Sequence, residues 1–73
     1  MRVLVDYTNW KGNRGWREVE PWTGDIFAVE QGRYNHLDGS SETTQVIHVK
    51  MADRSDARRT LKLTNIHGIR VVL

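Results

Sequence analysis

The chain holds 73 residues, eleven Lys/Arg against nine Asp/Glu for a formal net charge of +2, and no cysteine. Disulfides, thiolate metal ligands and thiol nucleophiles are therefore excluded. A chain this short buries only about 60% of the surface it exposes when unfolded, so one small domain is expected, with Trp10 and Trp22 filling part of its core.

The first element in the chain is a strand, Arg2 to Thr8, with Val3, Val5 and Tyr7 on one face and Leu4 between polar neighbours on the other. Val3-Leu4-Val5 is cut by Asp6 long before it could form a signal-peptide core or a membrane span, so a soluble, cytoplasmic protein is expected. Asn9 to Gly15 supplies two glycines and two asparagines, which reach positive φ cheaply, and predicts a hairpin loop. Trp16 to Glu20 returns as a second strand with Trp16, Glu18 and Glu20 on one face and Arg17 and Val19 on the other, one of the two faces solvated, and Pro21 ends it by removing a ladder donor.

Trp22 to Asp25 reads as a turn and Ile26-Phe27-Ala28-Val29 as a short apolar strand. From Glu30 to Thr43 the composition turns polar, and a long, mobile loop is expected. Thr44 to Met51 alternates and is rich in β-branched residues, the clearest late strand. Residues 52–57 are polar and turn-forming, with a faint capping pattern at Ser55 that supports one helical turn at most. Arg58 to Leu63 resumes strand character with Leu61 and Leu63 inward. Thr64 to Gly68 predicts a single 3₁₀-type turn, and Ile69 to Leu73 a closing strand. The fold class that follows is mostly β: a small barrel or strongly bent antiparallel sheet of five to six short strands.

The run YTNWKG, then R-E-V-E-P, then D-R-S-D-A-R-R-T-L-K-L-T-N-I resembles the WYL-type domain of bacteria and phages, a small SH3-like β-barrel usually attached to transcriptional regulators. Tyr7, Asn9, Trp10, Gly12, Arg17 and Pro21 carry the resemblance in the first half, and Asp53, Arg59, Thr60, Leu63 and Ile66 in the second. Gln45-Val46-Ile47 stands where that family has its Trp-Tyr-Leu signature. The resemblance implies a barrel, an association with transcription, and Arg59 as partner for a negatively charged group. In length and character the chain is also similar to small phage regulators that bind host RNA polymerase, of the Xanthomonas bacteriophage type.

Nothing in the sequence points to catalysis. Gly12-Asn13-Arg14-Gly15 precedes a strand, so it lacks the helix N-terminus that a phosphate loop needs. His36, His48 and His67 lie far apart with no ligand spacing between them, so neither a metal nor a cofactor is expected. Glu18 and Glu20 share a strand face, but nothing beside them would separate their pKa values, and solvation or a basic partner accounts for them better.

Binding is the stronger theme. Trp10, Lys11, Arg14, Trp16 and Arg17 interleave aromatics with cations, as single-strand nucleic-acid binders do, and Trp and Arg equally dominate protein–protein hot spots. Residues 1–30 hold four Lys/Arg against five Asp/Glu, and residues 31–73 hold seven against four, so an acidic and a basic end are expected. Arg54, Arg58, Arg59, Lys62 and Arg70 form the basic end, with Arg58 and Lys62 about 13 Å apart on one strand face. The contact residues expected are Trp10, Arg14, Trp16, Glu18 and Glu20 in the hairpin, and Arg58 and Arg59 as a secondary patch. The expected function is a non-enzymatic, monomeric regulator that binds bacterial RNA polymerase. The alternative is a nucleic-acid-binding module using the same hairpin.

Overall fold

The structure, a computed structural model, describes residues 2–52 and 54–73, with side chains at all of these except residues 54–56. Asp53, one position of the family resemblance, lies outside the described residues, as do the side chains of Arg54 and Ser55. Six strands follow in order: β1 (Arg2–Thr8), β2 (Arg14–Pro21), β3 (Val29–Asn35), β4 (Ser41–Met51), β5 (Arg54–Lys62) and β6 (Ile66–Val72), with a 3₁₀ turn at Leu63–Asn65 before β6. They form one curled antiparallel sheet, a half-barrel, and so bear out the small barrel-like, mostly β class read from the sequence.

β4 organises the sheet. Along one edge it pairs with β5, from Val46 opposite Lys62 to Met51 opposite Arg54. Its other edge is shared end to end: Val49 to Met51 face Pro21 to Val19 of β2, and Ser41 to Ile47 face Asn35 to Val29 of β3. β2 and β3 are therefore one interrupted line. The chain keeps one backbone bond to β4 beyond Pro21, from the Trp22 N–H to the His48 carbonyl at 3.3 Å, then loops through residues 23–28 and rejoins with Val29 opposite Ile47. β1 then pairs with β2, and β6 with β1, leaving β5 and β6 as the free ends of the curl.

The inner face collects Val5 and Tyr7 of β1, Val19 of β2, Ile47, Val49 and Met51 of β4 and Leu61 of β5, with Val3, Phe27 and Ile66 packed against them. This alternation is the period-2 pattern of the sequence made spatial. The tryptophans are not part of it: Trp10, Trp16 and Trp22 are 49%, 43% and 37% exposed, correcting the expectation that Trp10 and Trp22 fill the core. Trp10 stands in the turn after β1 and Trp22 in the bend after β2, outside the strands whose alternation turns side chains inward.

Two other expectations are corrected. Ile26 to Ala28 belong to the loop between β2 and β3, where Ile26 is 79% exposed and Phe27 alone anchors to the core. The long loop expected from Glu30 to Thr43 is a β-hairpin, β3 and the start of β4, with full register from Val29 opposite Ile47 to Asn35 opposite Ser41. β5 also begins earlier than the sequence suggests, at Arg54, so only Ala52 is described as a turn in the stretch read as one.

Candidate binding cleft

Two tight turns set the geometry of the site, and they are built alike. In residues 9–13 the Asn9 N–H donates to the Asn13 carbonyl at 2.8 Å and the Gly12 N–H to the Asn9 carbonyl at 2.9 Å. In residues 36–40 the His36 N–H donates to the Ser40 carbonyl at 2.8 Å and the Gly39 N–H to the His36 carbonyl at 3.1 Å. Gly12 at φ 88° and Gly39 at φ 89° occupy the left-handed position that closes each turn. Side chains lock both. Asn9 Oδ1 accepts from the N–H of Lys11 and Asn13 at 2.9 and 3.0 Å, and Asp38 Oδ1 accepts from the Ser40 N–H and hydroxyl at 2.9 and 2.6 Å.

The first turn holds Trp10 outward, with Lys11 Nζ 5.3 Å from its ring centroid. Across from it lie Arg33, Tyr34 and Asn35 at the end of β3, His36 of the second turn, and Arg58, Arg59 and Thr60 of β5, enclosing a cleft of about 520 Å³. Tyr34 forms a buried aromatic wall: His36 meets its ring edge-on at 5.4 Å, and Lys62 Nζ lies 6.0 Å from its centroid. Among the described residues no carboxylate lines the cleft, and Arg33, Arg58 and Arg59 have no carboxylate oxygen within ion-pair distance. Arg59 Nη1 donates only to the Arg58 carbonyl, at 3.3 Å.

The residues expected to make contact divide between two surfaces. Trp10, Arg58 and Arg59 come together in the cleft, whereas Arg14, Trp16 and Glu18 lie on the outer face of β1, β2 and β6, each held by a neighbour. Arg14 Nη2 reaches Asp6 Oδ2 at 3.0 Å, and this guanidinium holds the largely covered Asp6 carboxyl below its ordinary range. Trp16 lies across Gly68 with Arg70 5.1 Å from its ring, and Glu18 Oε1 accepts from Arg2 Nε at 2.8 Å. Glu20 is exposed opposite Lys50 in register. Lys62, grouped with Arg58 on one strand face, is occupied by Glu42 at 2.9 Å, and its hydrogen bond holds Glu42 below the usual carboxylate value. Reading the sequence missed Arg33, Tyr34 and His36. The signal for them, an aromatic between two cationic-type side chains, was present in Arg33-Tyr34-Asn35-His36.

The three histidines do not converge. His67 pairs with Thr8 Oγ1 at 2.7 Å, His36 with Glu42 at 2.7 Å, and His48 with Glu30 through Nε2 at 2.6 Å and Thr60 through Nδ1 at 2.9 Å. The Glu30–His48–Thr60 row has the order of groups found around activated hydroxyls. Its cause is register: His48 faces Thr60 directly and Glu30 diagonally, so the row ties β3, β4 and β5 together. Among the described residues no cluster of three or more His, Asp or Glu could hold a metal, and no helix is long and apolar enough to cross a membrane. Compared with protein-family models, curated proteins and solved structures, the chain matches none.

Proposed function

We propose that this protein is a non-enzymatic regulator that acts by binding, with the cleft between Trp10, Arg33, Arg58 and Arg59 as its contact surface and an acidic surface of bacterial RNA polymerase as its partner. It alters transcription by occupying a site that another factor needs. One observation carries the reading: a half-exposed tryptophan and three arginines line a cleft to which no carboxylate among the described residues contributes. Trp and Arg are the side chains that most often anchor protein interfaces, and unpaired arginines select a negatively charged partner. The WYL-type resemblance and the likeness to small phage regulators supply the link to transcription.

A second reading draws on the same indole. Trp10 offers an open ring with cations around it, the arrangement on which single-stranded nucleic acid stacks. Titration of the purified protein against polymerase core, holoenzyme and a single-stranded oligonucleotide, at two salt concentrations, separates the two. Binding to polymerase that persists as salt rises and is lost in Trp10→Ala supports the regulator. Binding to the oligonucleotide alone, falling with salt at a log–log slope of about −2 for three phosphate contacts, gives the cleft to nucleic acid.

A further inference from the structure

Arg58, Arg59 and Thr60 are consecutive in β5, and all three line the cleft. Successive side chains of a strand point to opposite faces, so a cleft that touches three in a row runs along the edge of the strand. That edge is free. β5 has β4 as its only ladder partner, and among the described residues no other backbone group hydrogen-bonds to residues 58–61. The cleft is thus floored by unpaired backbone donors and acceptors, flanked by Arg58 on one face and Arg59 on the other, and walled by Trp10 and Tyr34.

We propose that the partner segment held here is an extended acidic peptide, added as a further strand along the outer edge of β5. The inference rests on the cleft being the contact surface, as proposed above, and goes on to name the chemistry and conformation of what fills it. An incoming strand alternates its side chains between the same two faces, so two successive carboxylates meet Arg58 and Arg59 in turn. Residues 58–61 offer about 13 Å of edge, enough for a ladder of three or four residues. Cations on an edge strand usually guard against strand addition, and here they repel a basic or like strand while attracting an acidic one. Arg33 and Lys11 add to that selection from the far wall and from the turn. The Arg58 carbonyl, now reached by Arg59 Nη1, is released to the new strand when Arg59 turns to a carboxylate.

The test is fluorescence anisotropy with a labelled hexapeptide, Thr-Val-Glu-Glu-Val-Thr, beside an analogue N-methylated at alternate residues, a Lys-Lys counterpart and an oligothymidine of matched charge. The acidic peptide binds. N-methylation, which keeps both charges and removes the ladder donors, weakens it at least tenfold, as does Arg59→Gln, and hydrogen exchange slows in residues 58–61. Equal binding of the N-methylated analogue, or unchanged exchange in β5, overturns strand addition. So does oligothymidine binding without peptide binding, which assigns the cleft to nucleic acid. Failure of the underlying reading looks different: polymerase, peptide and oligonucleotide are then all indifferent to Trp10→Ala and Arg59→Gln in variants whose melting curves match the wild type.

Discussion

Two tryptophans that look equivalent in sequence do opposite work. Trp16 bridges three strands, its ring 3.3 Å from where a Cβ on Gly68 would stand and 5.1 Å from Arg70. Trp16→Ala is expected to cost about 1–2 kcal/mol, from a half-buried indole and a surface cation–π contact. At about 4–8 °C per kcal/mol for a domain of this size, a thermal melt resolves it. Trp10 lies beside Lys11 and the cleft, half exposed and outside the buried core cluster. Trp10→Ala should leave the melt within about 0.5 kcal/mol of wild type and lower partner affinity at least tenfold, readable in the same titration. Gly32 separates packing from propensity. A Cβ there would sit 2.8 Å from Cγ2 of Val46, a fully buried side chain with one preferred rotamer. Alanine gains about 0.5–1 kcal/mol over glycine in a strand, but forcing an extra carbon into a packed site costs about 1–3 kcal/mol. Overpacking wins, and Gly32→Ala should lower the urea midpoint.

At the scale of elements, the same turn appears twice, as Asn9-Trp10-Lys11-Gly12-Asn13 and as His36-Leu37-Asp38-Gly39-Ser40. Only the first was legible, because two glycines and two asparagines follow directly on the alternating residues of β1. β3 reads Val-Glu-Gln-Gly-Arg-Tyr-Asn, with apolar side chains at two positions of seven, so no periodicity announces it. Its ladder forms through backbone groups, which are blind to side chains, and Tyr34 is its one buried side chain. The reverse error has the complementary cause: Ile26-Phe27-Ala28 is apolar enough for a strand, yet the chain has left β4 after Trp22 and only Phe27 reaches the core. The cleft inherits both lessons. Arg58 and Arg59 were visible as an arginine pair and Trp10 as a contact candidate in the hairpin, although it was also expected in the core, while Arg33 and Tyr34 became visible only once β3 existed. If the second turn does nucleate that hairpin, Gly39→Ala, which places a side chain at φ 89°, should cost about 1 kcal/mol, and hydrogen exchange should quicken in residues 29–35 before it does in β1. Uniform quickening across the sheet would show the hairpin to have no independent stability.

Across the whole molecule, three carboxyls in separate parts of the sheet are held ionised below their ordinary range. They are Asp6 by Arg14, Asp38 by the hydroxyl and N–H of Ser40, and Glu42 by Lys62 and His36. Where the folded state ionises more readily than the unfolded one, stability is complete above the unfolded value and is lost as protons return. The usual values are 3.8 for the two aspartates and 4.5 for the glutamate, so the loss begins near pH 4.5 and continues downward to the depressed values of the folded protein. Tyr7 gives the opposite limb: burial raises its phenol above 10.0, so the stability it contributes falls as pH rises past that point. A stable plateau between roughly pH 5 and 10 is the consequence. Asp6 can be tested alone, since Asn keeps its shape beneath Trp16 and Arg14 while removing the titration. In urea titrations from pH 7 to pH 2, Asp6→Asn should be the less stable protein at pH 7 and fall less steeply in acid, so that the two curves converge below pH 3.8. Curves that stay parallel to pH 2 would mean that Asp6 acts through shape and hydrogen bonding alone, and that its charge contributes nothing to holding β1 to the β2 hairpin.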